Sequence, residues 1–412
     1  MKVLGVVVEY NPLHRGHMYH LDSSIKLIVP DFIVAVMSGN FVQRGEPAIV
    51  DKFARTEMAL KAGIDVVIEL PTVYAIQDAS GFATGSIKIL DATNVVTDVV
   101  FGSESNDIKT LERVASIIVE ESEEYRSSLK RYLKNGLSFP NARRYAIFDQ
   151  ISKEGIDIEQ IKYPNNILGV EYLAVLQRIK SQMRAHTIKR IGSSYNDERI
   201  SEIPSATAVR KSIRFGEKIL GIPRFTHHIL EREFSAGRGP VFVEDLFEFM
   251  RLKMVILGRE GLEKLYGFNE GIAKRMIKAV ENSHNMRNFL TKTKTKRFTF
   301  TRIKRRALYA VLDINREFVK ESNEFGPQYL RILGFTRRGR KLLRIMSTHA
   351  SKPVITNVSK FNKALEKRSV NVSLAHQQLT LDLKSTDFYS LLFKNEIERK
   401  VHRDFCKPLE IQ

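Results

Sequence analysis

The sequence predicts an α/β domain built on a parallel sheet, followed by a mainly helical and strongly basic region. In the first hundred residues, Val- and Ile-rich runs alternate with amphipathic segments, which is typical of parallel strands covered by helices on both faces. Residues 1–220 carry 28 Lys and Arg against 27 Asp and Glu, whereas residues 221–412 carry 38 against 20. We therefore predict a near-neutral catalytic domain over 1–220 and a basic region over 221–412 that binds a polyanion.

Length and composition limit the class of protein. A chain of 412 residues with 43% hydrophobic and 27% charged residues is long enough for two or three globular domains. The single cysteine, Cys406, excludes an intramolecular disulfide and a cysteine-built metal site, and it favours the cytoplasm. No segment reaches the ~18 apolar residues of a membrane span, so no membrane partner is expected. Nothing in the sequence indicates an obligate protein partner.

The strands of the first domain are predicted over the apolar runs Lys2–Glu9, Phe32–Met37, Ile64–Leu70 and Val95–Phe101, the last of which stops at Gly102. The helices between them are predicted over Gly16–Lys26, Asp51–Ala62, with Asp51 as a possible cap, and Gln77–Leu90. Right-handed crossovers place ligands at the carboxyl ends of such strands. His14 and Gly102 both follow strand ends, where a site is expected.

The remaining elements are predicted from charge, proline and glycine. Residues 107–160 are charged and helix-like, and Pro164 opens another helix. His186–Ile191 is a predicted last strand before a polar loop, and the segment SATAVRKSI starts a further helix. Beyond Gly221 the pattern is mostly helical, with glycine-bounded connections.

The segment Asn11–His17, NPLHRGH, lies between the first strand and the first helix. Free N–H groups and the helix dipole favour anions there, and Gly16 permits close approach of a nucleotide. Protonated or hydrogen-donating imidazoles of His14 and His17 can stabilise charge on an α-phosphate and on leaving pyrophosphate, so we predict both as catalytic. The alternatives are polar loop histidines or, less favoured, zinc ligands. No third ligand accompanies them, so no metal-binding residue is predicted.

The pattern His14-x-Gly16-His17 resembles the HxGH motif of the nucleotidylyltransferase superfamily, which has a Rossmann-like fold. The segment SATAVR resembles the superfamily's ISSTxxR-like loop. This resemblance implies that Ser205, Thr207 and Arg210 hold the β- and γ-phosphates. For Ser205 and Thr207, a plain helix N-cap is the alternative role.

A narrower resemblance runs through EYNPLHRGHMYHL, MSGNFVQRGEPAIVDKFAR, DVVIELPTVYAIQDASGFATG, VVFGSES, PNNILGVEYL, SATAVR, KRFTFTRIKRRALYAVL and YLRILGFTRRGRKLL. In this order they are similar to the tRNA(Met) cytidine acetate ligase family, with Leu13, Arg15 and Val209 as small departures. Membership implies that ATP and acetate form acetyl-AMP and that the acetyl group passes to N4 of the wobble cytidine of elongator tRNA(Met). Mg²⁺ is expected with ATP.

By the same resemblance, one continuous segment carries the nucleotide: Val7, Val8, Glu9, Tyr10, Asn11, Pro12, Leu13, His14, Arg15, Gly16, His17, Met18, Tyr19 and His20. Gly102 would approach adenosine, and Asn166 and Arg190 would add further ATP contacts. Asn166 can instead be a capping residue, and Arg190 a surface ion-pair partner. The loop that contains Gln43, Arg44 and Glu46 is long enough to close over a substrate, and Arg44 can hold a carboxylate.

Two basic stretches of the second region favour RNA binding. Residues 291–310 and 331–360 each contain eight Lys or Arg and no acid. The predicted RNA-binding residues are Lys296, Arg297, Arg302, Lys304, Arg305, Arg306, Arg337 and Arg338. Phe298, Phe300, Tyr309 and Phe335 are interleaved and can stack on bases, although for any single one of them a core position is the favoured alternative.

Two other functions remain open at this point. A small-molecule adenylyltransferase would use the same motifs but would leave the basic region without a purpose. A non-catalytic RNA-binding protein would not need His14, Gly16, His17 and Arg210. No residue is evident as a general base.

Overall fold

The computed structural model describes residues 1–152, 162–190 and 205–411. Its strands are β1 (Val3–Val8), β2 (Phe32–Ser38), β3 (Phe41–Val42), β4 (Glu46–Pro47), β5 (Val66–Leu70), β6 (Asp98–Ser103), β7 (Arg184–Lys189), β8 (Leu330–Thr336), β9 (Val354–Ile355) and β10 (Leu409–Ile411). The main sheet has the order β10-β8-β5-β2-β1-β6-β7, with β9 also paired to β8, while β3 and β4 form a small hairpin.

The strands β5, β2, β1, β6 and β7 are all parallel, which confirms the predicted parallel α/β sheet. Their order reverses at β1, because the chain adds β2 and β5 on one side of it and β6 and β7 on the other. Such a reversal opens a crevice at the carboxyl ends of the strands. The expected ligand site therefore lies beyond Val8 and Ser103.

Alternate residues of each strand pack into two separate hydrophobic cores, one on each face of the sheet. Val34 and Val36 pack with Ile87 of the helix that precedes β6, whereas Ile33 and Ala35 pack with Leu21 of the first helix. A strand buried on both faces has no polar alternation, which explains the continuous apolar runs of the sequence.

The helices begin and end close to the sequence signals. They are α1 (Arg15–Ile28), α2 (Lys52–Lys61), α3 (Thr72–Ala75), α4 (Ala79–Ala92), α5 (Ile108–Glu120), α6 (Glu123–Lys134), α7 (Phe139–Ile151), α8 (Pro164–Arg178), α9 (Ala206–Phe215), α10 (Arg224–Ser235), α11 (Phe247–Glu263), α12 (Ile272–Glu281), α13 (Met286–Thr293), α14 (Phe300–Val311), α15 (Arg316–Phe325), α16 (Gly339–His349), α17 (Phe361–Leu365) and α18 (Val372–Ser390). Short 3₁₀ helices cover Val243–Leu246, Val358–Lys360 and Glu396–Glu398.

Some predicted elements differ from the structure. The fourth strand begins at Asp98 and contains Gly102, because the Thr93 hydroxyl accepts the N–H groups of Val95 and Val96 and turns the chain there. The helix predicted over Gln77–Leu90 corresponds to α4, which begins at Ala79 because the Asp78 carboxylate accepts the Gly81 N–H. The short α3 that precedes it is not among the predicted helices. Residues 153–160, Ile191 and the polar loop before SATAVRKSI lie outside the described residues.

The second half of the chain is mainly helical, as predicted, but it also supplies β8, β9 and β10. Strand β8 runs antiparallel to β5 and so closes the free edge of the parallel sheet. The sheet therefore takes strands from both sides of the predicted boundary at residue 220, and that boundary stays a prediction from charge and composition.

Five charged side chains are buried where the two halves meet. Lys52 lies 2.7 Å from both Glu69 and Asp404, and Arg331 lies 3.0 Å from Glu69 and 2.8 Å from Asp404. Asp382 is 1% exposed and accepts hydrogen bonds from the Thr72 N–H and the Tyr329 hydroxyl. Three acids face two cations in this cluster, so the cluster is more stable when one of the acids stays protonated and neutral.

We expect Asp382→Asn to weaken the dependence of stability on pH. Burial, and then the charge of Glu69, raise the pKa of Asp382 to about 7 from 3.8. From about pH 4 to pH 7 the folded chain then holds a proton that the unfolded chain has lost, so the free energy of unfolding falls as pH rises. Asparagine is neutral throughout. The free energy of unfolding, measured in urea at pH 5 and at pH 8, should fall less between these two pH values in the variant than in the wild-type protein. An equal fall in both proteins would contradict this.

Candidate active site

A cavity of about 280 Å³ lies at the carboxyl ends of β1, β6 and β7, as the strand order predicts. We call it the nucleotide cavity. Most of the residues predicted to bind ATP line it: Val7, Val8, Glu9, Tyr10, His14, Gly16, His17, Tyr19, His20, Gly102, Arg190 and Ser205. Sequence reasoning missed further lining residues, namely Phe101, Asn165, Leu168, Tyr172, Ile188 and Lys189.

The start of α1 fixes the orientation of the two motif histidines. The Nδ1 atom of His14 accepts the Gly16 N–H at 3.1 Å, and the Nδ1 atom of His17 accepts the His14 N–H at 3.3 Å. The two rings stack with centroids 3.7 Å apart. Because both Nδ1 atoms accept hydrogen bonds, each neutral ring carries its proton on Nε2. The two Nε2–H groups remain for a ligand in the nucleotide cavity.

Burial keeps these imidazoles neutral. It lowers the pKa of His14 to about 4, with Arg190 and Arg210 acting in the same direction. It also holds the pKa of His17 well below the ordinary value, with further contributions from His14, His20 and Arg190. Of the two roles considered from the sequence, protonated or hydrogen-donating, the structure favours neutral hydrogen-bond donors near pH 7.

Other residues of the predicted nucleotide segment support the site from behind. The Oδ1 atom of Asn11 accepts the Ile49 N–H at 2.8 Å, and Leu13 is fully buried in the core. Pro12 is buried as well, Met18 packs against the same core, and the exposed Arg15 donates its backbone N–H to Gly221. None of these residues is among those lining the nucleotide cavity.

The buried guanidinium of Arg55, in α2, holds the ends of two strands together. It donates to the carbonyl oxygens of Glu9 at 2.7 Å and Ser38 at 3.1 Å, and also to that of Gly39. Fixing these carbonyls fixes the point where the chain leaves β1 for the histidine loop. Sequence reasoning missed this role, because an arginine on a helix carries no local signal of what it will contact.

Asn166 is fully buried behind the nucleotide cavity, whereas its neighbour Asn165 lines the cavity. The Oδ1 atom of Asn166 accepts the Ser103 hydroxyl at 2.7 Å and the Glu104 N–H at 2.9 Å. The Glu104 carboxylate in turn accepts the N–H of Asn166 at 3.0 Å at the start of α8. Asn165 accepts a hydrogen bond from Arg190 at 2.9 Å. Asn166 therefore shapes the loop after β6, and Asn165 is the residue placed to touch a ligand.

The residues of SATAVR divide between two cavities. Ser205 caps α9 by accepting the Ala208 N–H at 3.2 Å and also lines the nucleotide cavity. Thr207 and Arg210 line a second, adjoining cavity of about 670 Å³. Arg210 donates to the Asn11 carbonyl oxygen at 2.8 Å and so ties α9 to the histidine loop.

We call this second cavity the basic groove. Helices α9, α13 and α14 and the β3–β4 hairpin form its walls, and its charged and aromatic lining includes Arg210, Lys211, Arg214, Arg287, Phe300 and Lys304.

The loop that contains Gln43, Arg44 and Glu46 is the β3–β4 hairpin, and it packs between the two halves. The Gln43 N–H donates to Glu9 at 2.7 Å, and Glu46 pairs with Lys304 of α14. Gly45 has φ +73°, and a Cβ there would lie 2.4 Å from the Arg305 nitrogen, so glycine is required. Arg44 is exposed at the tip of the hairpin, and its predicted carboxylate contact stays a prediction.

The structure separates the two basic stretches. The first, residues 291–310, runs from the end of α13 through most of α14, beside the hairpin. Lys296 and Arg297 are exposed there, and Arg305 donates to the Gln77 carbonyl. Arg306, however, is buried and donates to the carbonyls of Gly267 and Arg302, and Phe298 and Tyr309 are core residues. Arg302 pairs with Glu270 at 3.3 Å.

Arg337 and Arg338, from the second stretch, follow β8. Because β8 is antiparallel to β5, its end lies at the amino edge of the parallel strands, where Arg338 contacts Asp65 and the Asp31 carbonyl. This edge is opposite to the nucleotide cavity.

Among the described residues, no cluster of three or more His, Cys, Asp or Glu side chains is arranged to hold a metal ion. In the same part of the chain, no helix combines the length and the apolar character that crossing a membrane requires.

The parallel sheet, its reversal at β1 and the stacked histidines at the start of α1 define a nucleotidyl transferase. The family model described as HIGH Nucleotidyl Transferase matches residues 1–404. The chain is therefore a member of this class of enzymes.

Relatives narrow the class further. The tRNA(Met) cytidine acetate ligase of Fervidobacterium nodosum is 48% identical, with 98% of each chain covered, and that of Thermotoga maritima is 48% identical, with 97% of each covered. A crystal structure of Thermotoga maritima TmcAL bound with alpha-thio ATP matches with a TM-score of 0.95 and 48% identity, with 100% of both chains covered. The apo form matches with a TM-score of 0.96 and 49% identity over the same coverage. This chain belongs to the tRNA(Met) cytidine acetate ligase family.

Proposed function

We propose that this chain uses ATP to activate acetate as acetyl-AMP and transfers the acetyl group to N4 of the wobble cytidine of elongator tRNA(Met). The observation that carries the proposal is the pair of stacked, neutral imidazoles whose Nε2–H groups border the nucleotide cavity. The names of the relatives, and the similar structure bound with alpha-thio ATP, support the substrates.

The first step is the attack of an acetate oxygen on the α-phosphorus of ATP, which breaks the bond between that phosphorus and the oxygen bridging to the β-phosphate. His14 and His17 donate hydrogen bonds to the oxygens on which negative charge grows. Arg190 and Lys189 add positive charge to the cavity wall, and Ser205 lies beside it at the start of α9. Mg²⁺ is expected to accompany the ATP phosphates as part of the substrate.

In the second step the N4 nitrogen of cytidine attacks the acetyl carbonyl carbon. The bond from that carbon to the AMP oxygen breaks, and N4 loses a proton. The enzyme must hold this weak nucleophile close and exclude water from the mixed anhydride. The basic groove adjoins the nucleotide cavity, so bound RNA and the activated acetyl group can lie side by side. We expect the enzyme to act in the cytoplasm, where the exposed Cys406 stays reduced.

The test is incubation with ATP, Mg²⁺, labelled acetate and unmodified elongator tRNA(Met), followed by nucleoside analysis of the RNA. We expect N4-acetylcytidine at the wobble position only, together with AMP and pyrophosphate. The matched control is the same tRNA with uridine at that position, which should remain unlabelled. A stable AMP-containing product formed without tRNA would instead identify a small-molecule adenylyltransferase.

A further inference from the structure

The basic groove carries features that ATP binding does not use. It lies next to the nucleotide cavity, because α9 begins at Ser205 in one cavity and continues through Arg210 and Arg214 in the other. The opposite wall is formed by α13 and α14. A ligand in this groove would therefore reach the histidine loop from the side of the basic half of the chain.

Two cations of the groove are available to an external anion. Arg210 and Lys304 both face Glu46, and Arg214 pairs with Glu244. Lys211 of α9 and Arg287 of α13 are exposed and have no acidic partner within 4.0 Å among the described residues. These two residues come from different walls, so one polyanion that enters the groove can contact both.

The groove also presents aromatic surface to solvent. The Phe215 side chain, at the end of α9, is 63% exposed, and Phe300, at the start of α14, is 41% exposed. Exposed aromatic rings beside unpaired cations are the combination that binds a single strand, because the rings stack on bases and the cations neutralise phosphates. A fully paired helix would not offer unstacked bases to these rings.

We propose that the basic groove binds the single-stranded anticodon loop of the tRNA, with Lys211 and Arg287 on phosphates and Phe215 and Phe300 stacking on unpaired bases. This proposal rests on the proposed function and adds the surface that delivers the cytidine. It differs from the surface predicted from the sequence in three respects. It includes α9 from the near-neutral half, and Lys304 is the one basic residue predicted in the first stretch that lines it. It also leaves out the basic stretch after β8, which lies at the opposite edge of the sheet.

The test compares two double charge reversals in the full-length protein. Lys211→Glu with Arg287→Glu alters the groove, and Lys341→Glu with Arg344→Glu makes the same change in charge on exposed residues of α16. Binding of unmodified elongator tRNA(Met) is measured over a range of salt concentrations, and acetate-dependent exchange of pyrophosphate into ATP is measured without RNA. The groove variant should lose at least about tenfold in affinity, with a salt slope shallower by about 1.4, which is about 0.7 for each phosphate contact of a single strand.

Exchange should be unchanged in both double variants, since neither alters the nucleotide cavity. The proposal is overturned if the groove variant keeps its RNA affinity, whatever the α16 variant does, or if both variants lose it equally. Phe215→Ala with Phe300→Ala should lower affinity by at least about 30-fold while leaving the salt slope unchanged, because stacking releases no counterions. If the wild-type protein neither exchanges pyrophosphate with acetate nor binds this tRNA, the proposed function itself fails, which is a distinct outcome.

Discussion

Replacement of His17 by alanine should lower the rate of acetyl-AMP formation by about 10²–10³-fold, the usual cost of losing one preorganised hydrogen-bond donor at a developing negative charge. His17 has two separable roles. Its Nδ1 atom accepts the His14 N–H and completes the cap of α1, and its Nε2–H borders the nucleotide cavity. Acetate-dependent pyrophosphate exchange measures the effect directly, without RNA.

A pair of variants distinguishes the two roles of His17. Asparagine keeps an acceptor at the position of Nδ1 but loses the Nε2–H donor, whereas glutamine places an N–H near the position of Nε2. We expect His17→Asn to be as slow as His17→Ala and His17→Gln to retain more activity. If asparagine restored exchange and glutamine did not, His17 would act by capping the helix and not by contacting the nucleotide.

Replacement of Lys52 by methionine should lower the free energy of unfolding by about 3–5 kcal/mol, the cost of leaving a buried charge without its partner. Lys52 is fully buried and lies 2.7 Å from both Glu69 and Asp404. Without it, Arg331 alone faces both carboxylates. Because the cluster joins α2 and β5 to β8 and to the segment before β10, unfolding of the whole chain in urea should report the loss.

Two controls accompany this measurement. Arg259→Met breaks a 2.7 Å pair with Glu263 on the surface of α11, and it should cost at most about 1 kcal/mol. Lys52→Met combined with Glu69→Met leaves Arg331 with Asp404 alone and should recover part of the stability. If Lys52→Met cost no more than Arg259→Met, the buried cluster would not contribute to stability in this way.

The local patterns of the first half predicted its architecture well. The runs that begin at Val3 and Phe32 are apolar on both faces, and the run that begins at Val66 departs from this pattern only at Glu69, so each could be recognised as a buried parallel strand without knowing its neighbours. Caps are also local. Asp51 accepts the Ala54 N–H, as its position before a helical segment predicts. The histidine motif is also a local signal, because the order strand, loop and helix along the sequence already places His14 at the start of a helix.

The sequence alone therefore determined the parallel sheet, the histidine loop at its carboxyl edge and the concentration of positive charge in the second half. Only the tertiary structure decided which charges line a cavity. Arg306 is buried against carbonyl oxygens, Arg337 and Arg338 lie at the opposite edge of the sheet, and Lys211 of the near-neutral half faces the basic groove. The physical reason is that helix and strand signals act over a few residues, whereas the antiparallel pairing of β8 with β5 joins residues far apart in the chain.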